Sequence, residues 1–261
     1  SEPILVRPDS GLERTEDLRG RRIGVPRRTD VETDFWRPAV LRGFAQGLAS
    51  VGLGLDDVEI VDIPIDRTFL AGKRLAAGTR APLWDAHFMI GQQREEALAL
   101  LGGQVDAIFS HAVLAVNVQG FTGARTLVDV GALDDPDLRV NNGTPQVLTV
   151  TGDLLDEHPD IVVRILTETI HGADWARRNP DAARAVVARE AGLAPQLLDI
   201  AHPGGVAGEL GIGLEPELVA RLESQARFLA DHGLIDRPVS VDELVAPEPL
   251  DRALRSLAAV A

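Results

Sequence analysis

Apolar residues in this chain follow two rhythms, short runs bounded by turn residues and longer stretches with a helical period. The runs at 4–6, 18–25, 58–63, 105–109 and 126–130 predict strands; the first closes on Arg-Pro-Asp-Ser-Gly and the fourth follows Gly102-Gly103. Between them, spacing of about 3.6 predicts a helix over 38–51, with Leu41, Phe44, Leu48 and Val51 on one face and Gly52 as its stop. A second helix is predicted over 92–101. Strands alternating with helices from 20 to 131 predict a mostly parallel, twisted α/β sheet. Residues 66–91 keep no regular period and hold Trp84, His87 and Phe88.

After residue 131 the character changes. A polar connection over 134–145 carries Asn141, Asn142 and Thr144, and a β-branched run at 146–150 predicts one more strand. Everything beyond reads as helical. Pro159, Pro180 and Pro216 stand at helix starts, Asn179 is placed to cap the second of these helices, and Gly192 and Gly233 mark stops.

The balance of 26 basic against 40 acidic residues gives a net charge of −14, and no basic stripe interleaves with aromatics, so nucleic acid is a poor partner. Small anions are not excluded, because a few arginines and helix N-termini set the potential inside a cleft. With 45% apolar content, no run approaches the ~20 residues of a membrane span. The absence of cysteine removes disulfides, thiolate nucleophiles and thiolate metal sites. His158, His171, His202 and His232 lack paired ligand spacing, and no glycine-rich phosphate cradle or nucleophile elbow occurs, so neither a metal nor a cofactor is expected.

Open α/β sheets meet ligands at the carboxyl ends of their strands. That rule singles out Arg27, Arg28 and Thr29 behind the 18–25 strand, where guanidinium forks and backbone N–H groups suit an oxyanion. A solvated turn in an arginine-rich protein has the same composition. It also singles out Ser110 and His111 behind the 105–109 strand, as hydroxyl and imidazole donors or as an ordinary strand-end turn. Trp36 fits either a cleft rim or a core. Trp84 and Phe88 suit an apolar wall, and equally the packing of an irregular segment.

Taken together, 18–25, 55–61, 103–110 and the helical tail with Ala173-Asp-Trp-Ala-Arg-Arg-Asn-Pro-Asp and Gln225-Ala-Arg-Phe-Leu-Ala-Asp-His-Gly-Leu-Ile resemble the substrate-binding proteins of sulfonate, nitrate and taurine ABC importers. That family also includes a 2'-hydroxybiphenyl-2-sulfinate desulfinase on the same fold. The resemblance implies a two-lobed, periplasmic-binding-protein-like (type II) α/β fold with a hinge of two crossing strands. It divides the chain into 1–19 (part of lobe 1 and the first crossover), 20–131 (lobe 2) and 132–261 (second crossover and helical remainder of lobe 1). It implies further lobe 1 strands ahead of the residue matching Ser1, since two strands offer too little face for the tail helices.

In function it implies capture of a small organosulfur anion by Arg27, Arg28, Thr29, Trp36, Trp84, Phe88, Ser110, His111 and Asn142, with Asn142 a hinge candidate first. The implied partner is a membrane permease, the implied location periplasmic or lipoprotein-like, and the implied state a monomer. The alternative is a cytoplasmic, desulfinase-like carbon–sulfur hydrolase. The cysteine, histidine and arginine that such an enzyme uses match no position in this chain.

Overall fold

A computed structural model of the protein describes residues 1–29, 31, 33–65, 93–141, 145–237 and 239–259. The chain divides into two compact units, Ser1–Thr144 with Ala188–Pro203, and Pro145–Val187 with Gly204–Ala261. The first is built on a five-stranded sheet in the order β3-β2-β4-β1-β5, from β1 (Pro3–Val6), β2 (Arg22–Arg28), β3 (Glu59–Ile65), β4 (Ala107–Phe109) and β5 (Arg125–Asp129). β2 runs parallel to β3 and β4, whereas β1 lies antiparallel between β4 and β5. Residues 3–6 form a central strand of this sheet. All four residues of β1 are buried, as an unbroken apolar run in a covered strand requires.

α1 (Trp36–Ala49), α2 (Arg94–Leu101) and α3 (Ala112–Thr122) accompany the sheet. α1 approaches unusually closely. A Cβ on Gly43 would overlap the Phe109 ring, and one on Gly47 would stand 2.6 Å from Ile4 Cδ1, so both positions need glycine for contact distance. α2 seals the other part of the core through Ala97 and Leu100 against Leu5, Ile63, Val105 and Ile108. α7 (Pro195–Ala201) also belongs to this unit, where the Ser1 amino group donates to Ala201 O at 3.0 Å.

Two boundaries differ from the sequence reading. β2 begins at Arg22, because residues 15–18 form a 3₁₀ turn, and it continues through Pro26, Arg27 and Arg28, which composition marks as a turn. These three pair with Ile63, Pro64 and Ile65 of edge strand β3, beyond the part of β2 that β4 reaches, so the missing proline N–H breaks no central ladder. The expected strand at 146–150 is not a strand: its backbone has no sheet partner among the described residues, and Val147 and Leu148 are exposed.

The second unit is helical among its described residues: α4 (Gly152–Glu157), α5 (Pro159–Arg178), most of α6 (Pro180–Glu190), α8 (Pro216–Asp231) and α9 (Pro247–Ala258). Proline stands at the start of four of these, as anticipated for three, while Gly192 and Gly233 take the left-handed conformation after α6 and α8. Asn179 closes α5, its Nδ2 donating to Trp175 O, and its own carbonyl accepts from Ala183. α5 packs on α9.

Candidate functional site

At the carboxyl ends of β2 and β4 the first unit gathers a layered polar cluster. Arg28, the last residue of β2, is only 8% exposed, and its guanidinium carbon lies 5.1 Å from the ring centroid of Phe35, an exposed residue. Strand alternation turns Arg27 to the opposite face, where it is exposed and bonds Asp62 Oδ2 at 3.4 Å, an oxygen pair that Arg37 also engages at 2.8 Å. Thr29 is exposed and its N–H donates to Ile65 O. Thus Arg28 alone of the expected pair sits inside the cluster.

The sequence reading offered the backbone N–H groups between β2 and α1 to an anion. In the structure Asp34 takes that seat: its Oδ2 accepts from Arg28 N at 2.9 Å, and its Oδ1 accepts from Trp36 N at 3.2 Å and Arg37 N at 3.1 Å. A carboxylate two residues ahead of α1 satisfies donors that the helix leaves open. The chain caps itself there.

The same unit holds a buried polar tier. Trp36 is 3% exposed, so it belongs to the core rather than a rim; its indole N–H donates to Glu96 Oε1 at 3.0 Å, and its ring stands 6.3 Å from Phe109 and 5.1 Å from His111. Ser110 is fully buried and donates to Gln93 Oε1 at 2.5 Å, while Gln93 Nε2 donates to Phe109 O at 2.7 Å. Ser110 therefore locks the end of β4 to the start of α2, with its hydroxyl hydrogen already used.

His111 occupies the N-cap position of α3 and is exposed as a residue. Desolvation where its ring meets Trp36 holds its pKa below the usual imidazole value, so at pH 7 it is neutral and offers one N–H. The next residue, Ala112, has φ 42°, the one non-glycine among the described residues with positive φ. Its N–H donates to Ser1 O at 2.7 Å. Strain of about 1–3 kcal/mol at a strand–helix junction is a mark of sites that hold a fixed geometry.

Glu96 completes the tier at 1% exposure. Burial pushes its carboxyl up to about 7, opposed by a backbone hydrogen bond, the Trp36 indole and the Arg28 charge; Oε2 has no hydrogen-bond partner among the described residues. Neither Glu96 nor Gln93 was among the sequence candidates. Their signal was present: Gln93, Glu96, Ala97 and Leu100 recur at i, i+3, i+4 and i+7, so two polar residues share the core face of a helix.

Trp84, Phe88 and Asn142 lie outside the described residues. Asn141, beside the last of these, is buried and donates from Nδ2 to Glu2 Oε2 at 2.8 Å. A depression of about 360 Å³ lies at the amino end of β4, lined by Arg7, Asp9, Leu100, Leu101 and Thr122. There Arg7 is spent on Leu100 O at 3.0 Å, and the strand ends that usually meet ligands are at the other edge of the sheet.

Comparison with known proteins identifies the lineage. The family described as NMT1/THI5-like matches residues 84–183. The chain is 30% identical, over 96% of its length and 71% of the relative's, to the 2'-hydroxybiphenyl-2-sulfinate desulfinase of Rhodococcus erythropolis. Its fold superposes on the crystal structure of a desulfurization enzyme with a TM-score of 0.64 at 26% identity, covering 98% of this chain and 76% of that one. A putative periplasmic sulfonate-binding protein of Methylobacillus flagellatus KT gives 0.67 at 16% identity, covering 98% and 66%. The chain belongs to the NMT1/THI5-like family, with the desulfinase among its relatives, and has the α/β fold of the two-lobed periplasmic binding proteins.

Proposed function

We propose that this protein captures a small organosulfur anion, a sulfonate or sulfinate, against the Arg28 edge of its sheet, and delivers it to the membrane permease of an ABC importer from a periplasmic or lipoprotein-like location. The observation that carries the reading is a largely buried Arg28 at the carboxyl end of β2, its guanidinium over the ring of exposed Phe35. A low-dielectric guanidinium binds a sulfur oxyanion through charge-assisted hydrogen bonds, and an aromatic neighbour suits an apolar substituent. Relatives support the class of ligand. One solved relative holds biphenyl-2-sulfinic acid, and an alkanesulfonate-binding protein holds a sulfonate buffer. Among the described residues no helix is long and apolar enough to cross a membrane.

A second reading, hydrolysis of an aryl sulfinate, is favoured by the 30% identity to the desulfinase over nearly the whole chain. These 261 residues contain no cysteine, so a thiolate nucleophile would have to come from elsewhere. Titration calorimetry with biphenyl-2-sulfinate and with butanesulfonate tests capture. Micromolar binding that weakens at least tenfold in Arg28→Ala supports the site, and equal affinity in that variant removes it. Release of sulfite from biphenyl-2-sulfinate, as water replaces the carbon–sulfur bond with carbon–hydrogen, would move the protein to the enzymatic reading.

A further inference from the structure

The sheet of the first unit is closed, but the ends of its helices are not covered everywhere. Leu101, the last residue of α2, and Thr122, the last of α3, line the same depression of about 360 Å³ at the amino end of β4, so the two helix ends converge there. Its walls are largely apolar, through Leu100, Leu101 and Ala124. Around it large apolar side chains stand in solvent: Leu101 is 45% exposed, Leu98 one turn before it 48%, and Phe121, next to Thr122, 59%. Phe121 does not line the hollow beside which it stands.

We propose that this face joins two copies of the protein about a two-fold axis, each inserting its Phe121 ring into the depression of the other. An apolar cavity of about 150 Å³ already holds benzene, so this depression has room for a phenyl ring. Knob and hole lie side by side on one patch. That is the arrangement a closed two-fold contact needs, because each residue of such a patch meets its counterpart's neighbour and the contact ends at two copies.

The rim is complementary to itself in charge. Arg7 and Asp9 are the charged residues that line the depression, and Arg7 Nε lies 3.3 Å from Asp9 Oδ1. Leu100 O holds Arg7 Nη1 at 3.0 Å, which fixes the guanidinium at the rim, while the Asp9 side chain is 84% exposed and has room for a second cation. Two such pairs facing each other alternate in sign. The patch is thus locally neutral on a chain of net charge −14. Repulsion between copies comes from the rest of the surface and is screened by salt, whereas burial of Phe121 is not. The dimer therefore tightens as salt rises, opposite to a contact held by charge. The inference departs from the monomer that the family resemblance implies. It is independent of anion capture, since the polar cluster lies at the other end of β4.

Sedimentation equilibrium of the full chain over about 5 to 300 µM tests the contact. For so small an interface the wild type should show a reversible monomer–dimer equilibrium with Kd on the order of tens of micromolar, and the Kd should fall about threefold between about 20 and 300 mM NaCl. Phe121→Ser and Leu101→Lys, both at exposed positions, should each weaken dimerisation at least tenfold. An equimolar mixture of the two should recover part of it, because Phe121 of one variant still enters the intact depression of the other; a general loss of structure gives no such recovery. Ile161→Ser with Ile165→Ser, on the open stripe of α5, should leave the equilibrium unchanged. A wild type that stays monomeric overturns the proposal, as do a dimer indifferent to Phe121→Ser, a mixture without recovery, or a Kd that rises with salt. Loss of the dimer in the α5 variant, or species that keep growing beyond two copies, also overturns it. Should Phe121→Ser fail to fold, Phe121→Lys takes its place under the same expectations.

Discussion

The two units use the same kinds of helix very differently. In the first, the central strands are closed to solvent: Ile4, Leu5, Val6, Ile23 and Ile108 are fully buried, and α1 and α2 spend their apolar faces on the sheet. In the second, helices begin and end cleanly, yet Ile161, Ile165 and Trp175 of α5 remain 44%, 41% and 43% exposed. Local punctuation suffices to make a helix. Only a facing layer gives its apolar stripe a stabilising role, which is why the first unit can also carry a buried polar tier and the second, among its described residues, shows none of comparable connection.

The sharpest way to break this comparison is to hollow the first unit. Phe109 ends β4 against Gly43, Phe44 and Trp36, with ring centroids 6.5 and 6.3 Å from the last two. Phe109→Ala is expected to cost about 3–5 kcal/mol in urea unfolding followed by circular dichroism. A loss under about 1 kcal/mol would mean that the sheet core is not where stability resides. The substitution should also weaken anion binding, because Ser110 and His111 follow directly on the strand.

A somewhat smaller effect is expected at Glu96, and it depends on pH. The folded pKa, about 7, lies above the unfolded value near 4.5, so the folded protein binds the extra proton. Its contribution is fully present below pH 4.5 and is lost as pH rises through 7, a change of about 3 kcal/mol across that window. Glu96→Gln keeps the acceptor for the Trp36 indole and removes the titration, so it should exceed the wild type in stability at pH 8 and converge with it near pH 4.5. Parallel stability curves for the two proteins across the window would show that Glu96 is not desolvated in solution.

What was legible in the sequence follows the same division of causes. β1 and β4 were readable because burial on both faces imposes continuous apolar runs. The proline-opened helices were readable because the cap is local. By contrast, the end of β2 was misread, since Pro26-Arg27-Arg28 has turn composition and becomes strand only by pairing with the edge strand β3. α3, Ala-Val-Leu-Ala-Val-Asn-Val-Gln-Gly-Phe-Thr, was missed because a helix that is apolar almost all round has no period to detect. At 146–150, β-branched residues mimicked a strand that has no partner among the described residues, a case of propensity without pairing. At the carboxyl ends of the strands, sequence position places Arg28, Ser110 and His111 but says nothing of their burial or bonds. Which groups are buried and mutually bonded, Glu96 and Gln93 above all, depends on α2 facing β4, a tertiary fact.

The smallest predicted effect bears on the second unit. Ile161 and Ile165 line an open stripe on α5 with Asp160, Arg164, Glu168 and Thr169, each isoleucine more than 40% exposed. Replacing both with serine removes little buried area and exchanges residues of about equal helix propensity, so unfolding free energy should change by less than about 0.5 kcal/mol per site. Solubility should rise, because a continuous apolar stripe at the surface promotes association. A cost of about 2 kcal/mol or more per site would instead be the signature of a covered core position. It would show that in solution this face of α5 is closed by something, and the contrast between a sealed first unit and an open second one would fail at its weaker end.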